Sequence, residues 1–376
     1  MQSFKEFIKA NTESLYTTLR ELCLIPAPSG KEEKRAEYCK KWFTDIGATG
    51  VYIDEALNVV CPMNAEGKDT LTVYVAHTDT VFPDLEPMPY IDDGEKIHSP
   101  GVGDDTASLV VMMHAVKYLI ENGIEIKDGA LFVANSAEEG LGNLKGTRKL
   151  FEDYKGRIKQ FISFDAASNY INSRCVGSHR YEVEVLTDGG HSFTAFGKKN
   201  AIAELAAIVG RIYSIEIPKK EGTRTTLNVG SIEGGTSVNT IAQNAKMLCE
   251  YRSDNADCID FMKEKFLSIF DEARTDEVRV NVTLVGERPC ARGVDEAEVQ
   301  RLCTLCAEIM SDVYGGQTIF KSGSTDCNVP LSLGIPAICI SAYRGGGAHT
   351  REEWVYKSSL PEGLEIAIRV IEKLNA

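Results

Sequence analysis

Three short stretches in the first half of the chain are apolar at nearly every position: "LTVYVA" (71–76), "ALFVA" (130–134) and "FISF" (161–164). Strands read this way when neither face meets water, so the three predict a parallel or mixed sheet covered on both sides. Helical periodicity lies between and before them. "FKEFIKANTESLYTTLRELCLI" and "KEEKRAEYCKKWFTDIG" predict helices separated by "PAPSG", and in "SLVVMMHAVKYLIENG" Leu109, Met112, Met113, Val116 and Ile120 recur at helical spacing before a glycine stop. The pattern is that of an α/β architecture.

From about Tyr181 the texture changes. "YEVEVLT" and "VRVNVTLV" alternate as half-exposed antiparallel strands do, "TTLNVGSIEGG" and "AKMLCEYR" are strand-like, and "NAIAELAAIVGRIYSI" and "IDFMKEKFLSIFDEA" are helical. Their order, β-α-β-β-α-β, is the split ferredoxin-like unit. Beyond it a helix resumes, "PAICIS" supplies another fully apolar strand, and "LPEGLEIAIRVIEKL" predicts a closing amphipathic helix. The expected organisation is therefore one domain in two parts, residues 1–176 and 288–376, with a second domain inserted at 177–287. The expected fold is a mixed, mostly parallel sheet sandwiched by helices, interrupted by an α+β insertion.

A formal net charge of −14 argues against nucleic acid or an anionic membrane as partner, because either would be repelled over most of the surface. The opening "MQSFKEFIKANTESL" lacks the apolar stretch of a secretory signal, and no run approaches the ~20 apolar residues of a membrane span. Eleven cysteines, an odd and scattered set, suggest a reducing cytoplasm. Cys303 and Cys306 stand one helical turn apart with no second pair to complete a zinc knuckle, and so read as helix packing.

Candidate chemistry gathers in the residues just past each apolar strand, where open α/β sheets bind ligands. "LTVYVA" leads into His77-Thr78-Asp79, "ALFVA" into Glu138-Glu139, "FISF" into Asp165, and "PAICIS" into a glycine-rich loop carrying His349; Asp104 and Asp105 stand in "GVGDDT" ahead of the long helix. Two of only six histidines thus join several carboxylates on one edge of one sheet. Neutral imidazoles, terminal carboxylates and one shared carboxylate are what two divalent cations roughly 3.5–4 Å apart require. Calcium prefers oxygen alone, which leaves two zinc ions, or manganese or cobalt in their place. "GVGDD" lacks the third glycine and the lysine of a nucleotide loop, and its carboxylates would repel phosphate. His98, His114 and His179 carry no motif; His114, within the amphipathic helix, reads as packing.

The succession "AHTDTV", "GVGDD", "SAEEG", "FDA" and "GGAHT", with an inserted domain of about a hundred residues falling between the last two, resembles the dizinc metallopeptidases of the aminoacylase, carboxypeptidase G and peptidase T kind. The resemblance spans essentially the whole chain, and "IPAPSGKEE" and "HTDTV" make it most similar to the peptidase T branch. It implies a zinc-peptidase-like fold whose inserted domain serves as lid and dimerisation element. It also implies that His77, Asp104, Glu139, Asp165 and His349 hold the metals, with Asp104 bridging and a cis peptide bond after it. Asp79 would orient His77, and Glu138, off the metals, would act as general base on a metal-bridging water. His191 in "DGGHSF" would stabilise the oxyanion, from its own subunit or its partner's, and Arg252 would grip a substrate carboxylate. Asn228, Asn239 and Gly323, the last in "SGSTD", would touch substrate.

The expected activity is hydrolysis of short peptides by a cytoplasmic homodimer, as a tripeptide aminopeptidase. Rivals are a carboxypeptidase or an N-acyl amino acid deacylase on the same dimetal site, a related aminopeptidase group without the insertion, which the β-α-β-β-α-β stretch disfavours, and a metal-binding partner protein without catalysis. Intact Glu138 weighs against the last, since a structural site has no need of that carboxylate.

Overall fold

The apolar runs become the centre of an eight-stranded sheet. In the computed structural model, which describes residues 3–375, the strands lie in the order Tyr52–Ile53, Val59–Met63, Ala130–Asn135, Leu71–His77, Ile158–Ala167, Ala337–Tyr343, Tyr170–Cys175, Ile319–Gly323. The four strands beginning at Ala130, Leu71, Ile158 and Ala337 are mutually parallel, and antiparallel pairing enters where Val59–Met63 and Tyr170–Cys175 flank them. Every residue of Leu71–His77, Ala130–Asn135 and Ala337–Tyr343 is buried, as strands covered on both faces must be. His77 lies beside Asn135 in register, so the carboxyl ends of neighbouring strands finish level with one another.

The chain divides into two units, one of Met1–Cys175 with Arg292–Ala376 and the other of Val176–Ala291. In the first, helices Phe4–Cys23, Ser108–Glu121, Glu296–Tyr314 and Ser359–Leu374 pack through one apolar core that includes Leu15, Leu19, Met112, Leu302 and Leu364. The first helix starts with a capping box: the Ser3 hydroxyl accepts the Glu6 N–H at 3.3 Å, and the Glu6 carboxylate accepts the Ser3 N–H at 3.0 Å. Strands Tyr170–Cys175 and Ile319–Gly323 escape the sequence pattern, because "YINSRC" and "IFKSG" carry polar residues and form the partly exposed end of the sheet. The strand expected at 161–164 runs from Ile158 to Ala167, so Asp165 stands within it rather than beyond it.

The second unit has strands Gly177–Leu186, Thr225–Gly234, Asn244–Ser253 and Arg279–Arg288 with helices Ala201–Tyr213 and Ala256–Glu272, in β-α-β-β-α-β order. Its sheet is antiparallel throughout, and each of its two central strands buries alternate residues against the helices. Tyr181, Val183, Tyr251, Phe266 and Phe270 form its core. Asn200 and Asn255 cap the two helices through side-chain oxygens. A short antiparallel pairing joins Gly190–His191 to Thr240–Ile241. Among the described residues no helix is long and apolar enough to cross a membrane.

Candidate metal centre

At the carboxyl end of its strand, fully buried His77 directs its two ring nitrogens to different tasks. Nδ1 lies 3.0 Å from the main-chain oxygen of Asp79, a carbonyl that can only accept, so Nδ1 carries the proton in the neutral ring and Nε2 keeps its lone pair. Nε2 is 3.0 Å from Asp104 Oδ1 and 3.8 Å from Asp165 Oδ1. The other oxygen of Asp104, Oδ2, lies 3.1 Å from His349 Nε2, which is also 3.1 Å from Glu139 Oε1. A single carboxylate therefore presents one oxygen to each of two imidazoles. The ligand atoms of His77, Asp104 and Glu139 all lie within 4.8 Å of one another, and so do those of His77, Glu138 and Asp165.

Local chain geometry delivers these groups. Asp104 and Asp105 sit in an irregular turn, Val102–Ala107, with non-helical dihedral angles and a cis peptide bond between the two aspartates. Asp105 does not point with its neighbour: its Oδ2 accepts the His77 N–H at 2.9 Å. After the strand Ala130–Asn135, Ala137 takes a left-handed φ of 56°, a conformation held by its N–H donating to Glu32 Oε1 at 3.0 Å. Glu138 and Glu139 come next in the chain, and both their N–H groups donate to the carboxylate of Asp79, at 3.0 and 2.9 Å. The Ser29 hydroxyl completes that carboxylate's partners at 2.6 Å. Asp79 thus holds the glutamate pair by its side chain and His77 chiefly by its main chain.

Other buried polar residues brace the same edge, and sequence reasoning missed them. Arg35, with no exposure, donates to the carbonyls of Ile25 and Thr78 and to the Thr106 hydroxyl. Asp326 accepts from Asn135 Nδ2 at 2.6 Å and from Thr147 at 2.5 Å. Glu353 accepts backbone N–H groups of the Asp104 turn. The only signal available for Glu32 and Arg35 was their place in "SGKEEKR"; Asp326 and Glu353 act across the fold and leave no local pattern.

The electrostatics follow from crowding. Burial alone would push the His77 imidazole down, but Asp104 and Asp79, reinforced by Asp105 and Asp165, outweigh it and hold its pKa well above the ordinary value. Burial would likewise raise Asp104, yet the His349 and His77 imidazoles keep it well below the usual carboxylate range. Asp165 is driven well upward by burial and by the Asp104 charge. Asp104 and Glu139 pull His349 up to about 10. Among the described residues, the ionic partners of Asp104, Glu139 and Asp165 are His77 and His349 alone. Three carboxylates, Asp104, Glu139 and Asp165, with two imidazoles offer mixed oxygen and nitrogen donors that fit a pair of divalent cations in both charge and ligand type.

Of the remaining predicted residues, Gly323 ends the strand Ile319–Gly323, where a β-carbon would come within 2.7 Å of Asn172. His191, Arg252, Asn228 and Asn239 belong to the second unit. His191 is exposed in the short strand Gly190–His191, its Nδ1 accepting the Phe193 N–H at 3.3 Å. Arg252 is held by a two-pronged contact with Glu250, Nε to Oε1 at 2.8 Å and Nη2 to Oε2 at 3.0 Å. Asn228 and Asn239 are exposed, and the Asn239 carbonyl accepts the Ser192 N–H at 2.9 Å.

Comparison with known proteins bears on both the fold and the family. The uncharacterized protein YqjE of Bacillus subtilis is 25% identical over 96% of this chain and 99% of its own length. Carboxypeptidase G2 of Pseudomonas sp. strain RS-16 is 24% identical over 85% of this chain and 77% of its own. Among solved structures, a tripeptidase from Staphylococcus aureus superposes with a TM-score of 0.76 at 22% identity, covering 97% of this chain and 99% of that one, which establishes a shared fold. The model of peptidase family M20/M25/M40 matches residues 73–373, a span that takes in every strand-end donor described above, and the chain is a hydrolase belonging to that family.

Proposed function

We propose that this chain hydrolyses the peptide bond of short peptides with two divalent cations held by His77, Asp104, Glu139, Asp165 and His349, and that its substrates are tripeptides cleaved from the amino end. One observation carries the metal reading: the two oxygens of Asp104 lie 3.0 and 3.1 Å from two different imidazoles, the arrangement of a carboxylate shared between neighbouring ions. The preference for tripeptides draws support from whole-chain likeness to a tripeptidase. When bound, the cations would polarise the scissile carbonyl and make water acidic enough to lose a proton near neutral pH. Zinc suits the mixed donors, and manganese or cobalt would serve the same set.

The chain's own groups supply the rest. Glu138, buried beside His77 and Asp165, takes the proton of the attacking water as its oxygen bonds to the carbonyl carbon, and returns that proton to the amine as the carbon–nitrogen bond breaks. Asp79 fixes where Glu138 stands by holding its backbone. We assign oxyanion stabilisation to His191 and substrate contacts to Arg252, Asn228, Asn239 and Gly323; at Arg252 a substrate carboxylate would have to displace Glu250. A homodimer formed through the second unit completes the reading. All eleven cysteines are free and buried, in keeping with a reducing cytoplasm.

A second reading, a carboxypeptidase or N-acyl amino acid deacylase at the same centre, is favoured by the likeness to carboxypeptidase G2. Zinc-loaded protein assayed on one tripeptide in free, N-acetylated and C-amidated forms separates the two. Cleavage of the free and C-amidated forms with loss of the N-acetylated one is expected; cleavage that survives N-acetylation and is lost on C-amidation would establish the second reading instead.

A further inference from the structure

Glu353 is a carboxylate in an unusual place. It is 2% exposed, among the described residues it pairs with no lysine or arginine, and its two oxygens face three backbone N–H groups. Oε2 accepts from Gly101 at 2.6 Å, and Oε1 accepts from Gly103 at 2.9 Å and Asp104 at 2.8 Å. A buried charge is costly unless hydrogen bonds satisfy it, and three charge-assisted bonds to one turn do so. The turn in exchange gains acceptors for N–H groups that stand at its start, where no preceding helical turn supplies carbonyl partners.

The turn that donates these bonds is shaped for this contact. Gly101 has a φ of +73°, and a β-carbon there would lie 2.6 Å from Thr80; at Gly103 one would meet Tyr343 at 2.7 Å and Glu353 Oε1 itself at 2.9 Å. The segment that carries Glu353 is equally fixed. The Glu353 carbonyl accepts the Ser99 N–H, and Trp354–Tyr356 pairs with Lys96–His98 directly afterwards. Four residues before Glu353 stands His349, whose imidazole faces Asp104 Oδ2. The same short stretch of chain thus carries one imidazole of the centre and the anchor of the carboxylate that this imidazole meets.

We propose that Glu353 is a positioning residue for the metal centre: by gathering the N–H groups of Gly101, Gly103 and Asp104, it sets where the Asp104 carboxylate stands relative to His349. The inference rests on the reading that Asp104 and His349 hold cations. Glu353→Gln keeps the shape but offers one acceptor oxygen, so an amide N–H must confront at least one backbone N–H and the turn is released.

The test compares metal-free parent, Glu353→Gln and the exposed neighbour variant Glu352→Gln. Each is titrated with Zn2+ against a chromophoric chelator and with Co2+, whose visible absorption reports ligand geometry, and each is melted without metal. Glu353→Gln is expected to bind Zn2+ about tenfold or more weakly and to give an altered Co2+ spectrum, while Glu352→Gln matches the parent. Parent-like affinity and spectrum in Glu353→Gln, or a lowered melting temperature with binding intact, overturns the proposal. Should Glu353→Gln not fold, Glu353→Asp, charged but one methylene short, is held to the same outcomes; failure of both to fold marks Glu353 as a folding determinant and also overturns it. A parent that takes up neither ion overturns the metal reading itself, a result distinct from the others.

Discussion

In the first unit the strands Leu71–His77 and Ala337–Tyr343 are buried at every residue, whereas in the second the strand Asn244–Ser253 buries alternate residues and turns the others outward. The two sheets consequently dispose of polar side chains in different ways. With no open face, the first gathers its charges at the strand ends: His77, Asp79, Asp105, Glu138, Glu139, Glu32 and Arg35 are all buried there. The second spreads its charges over a solvated face, as in Lys246 with Glu233, and its buried polar residues among those described are only Ser178, His179, Ser253 and Arg288. Crowding like charges costs stability unless something compensates it. A fold that accepts the cost at one edge identifies that edge as the place of its chemistry, while the second unit is held by ordinary apolar packing.

The sharpest way to break this contrast is to remove a buried acid from the first unit. Glu138→Ala is expected to lower kcat by about 10²–10⁴-fold, retain bound metal, and leave the metal-free protein melting at or above the parent, since a negative charge beside Asp165 is relieved. Steady-state kinetics, metal analysis and calorimetry check the three parts; preserved activity removes Glu138 from its assigned role. In the second unit the converse holds. Phe266, fully buried with its ring centroid 4.8 Å from that of Tyr251, should cost about 3–5 kcal/mol on truncation to alanine, measured by urea unfolding, without change in bound metal.

A third prediction concerns a buried histidine of the first unit that lies outside the centre. His114 Nδ1 donates to the Val110 carbonyl at 2.9 Å and Nε2 accepts from the Ser14 hydroxyl at 3.1 Å, so its partners are neutral. Burial lowers its pKa to about 4 from an ordinary 6.5. Because the unfolded chain takes up the proton first, the contribution is complete above about pH 6.5 and is lost as pH falls through about 4. It amounts to roughly 3 kcal/mol. His114→Gln should flatten that acid limb of the stability curve; an unchanged limb would mean that the imidazole is not kept neutral by its surroundings. The smallest effect belongs to the second unit's solvated face. Glu233 and Lys246, 3.0 Å apart and largely exposed, should couple by no more than about 0.5 kcal/mol in a double-mutant cycle, and a coupling several times larger would contradict the view of that face as merely solvated.

The elements most legible in the chain were those whose periodicity is strong. "LTVYVA" and "ALFVA" became fully buried parallel neighbours, and the helix around Met112 packed as its spacing implied. Tyr170–Cys175 and Ile319–Gly323 were illegible because these two strands, the last of the sheet on that side, carry polar residues and owe their pairing to partners far along the chain. At the centre, His77, Asp104, Glu138, Glu139, Asp165 and His349 are brought together as their positions past the apolar runs suggested. What holds them was not visible: Asp79 bonds glutamates 59 and 60 positions further along the chain, and Glu353 bonds Gly101, 252 positions before it.

The amino-acid sequence by itself determined the strongly periodic strands and helices and which residues near their ends carry metal-type donors, because hydrophobic period and residue chemistry are local properties. Only the tertiary structure decided that one carboxylate oxygen of Asp104 meets His77 and the other meets His349, and that a buried glutamate gathers the turn between them. Hydrogen-bond geometry depends on where distant chain segments arrive in space, and packing of the whole unit, not the residues at either end of the bond, sets that arrival.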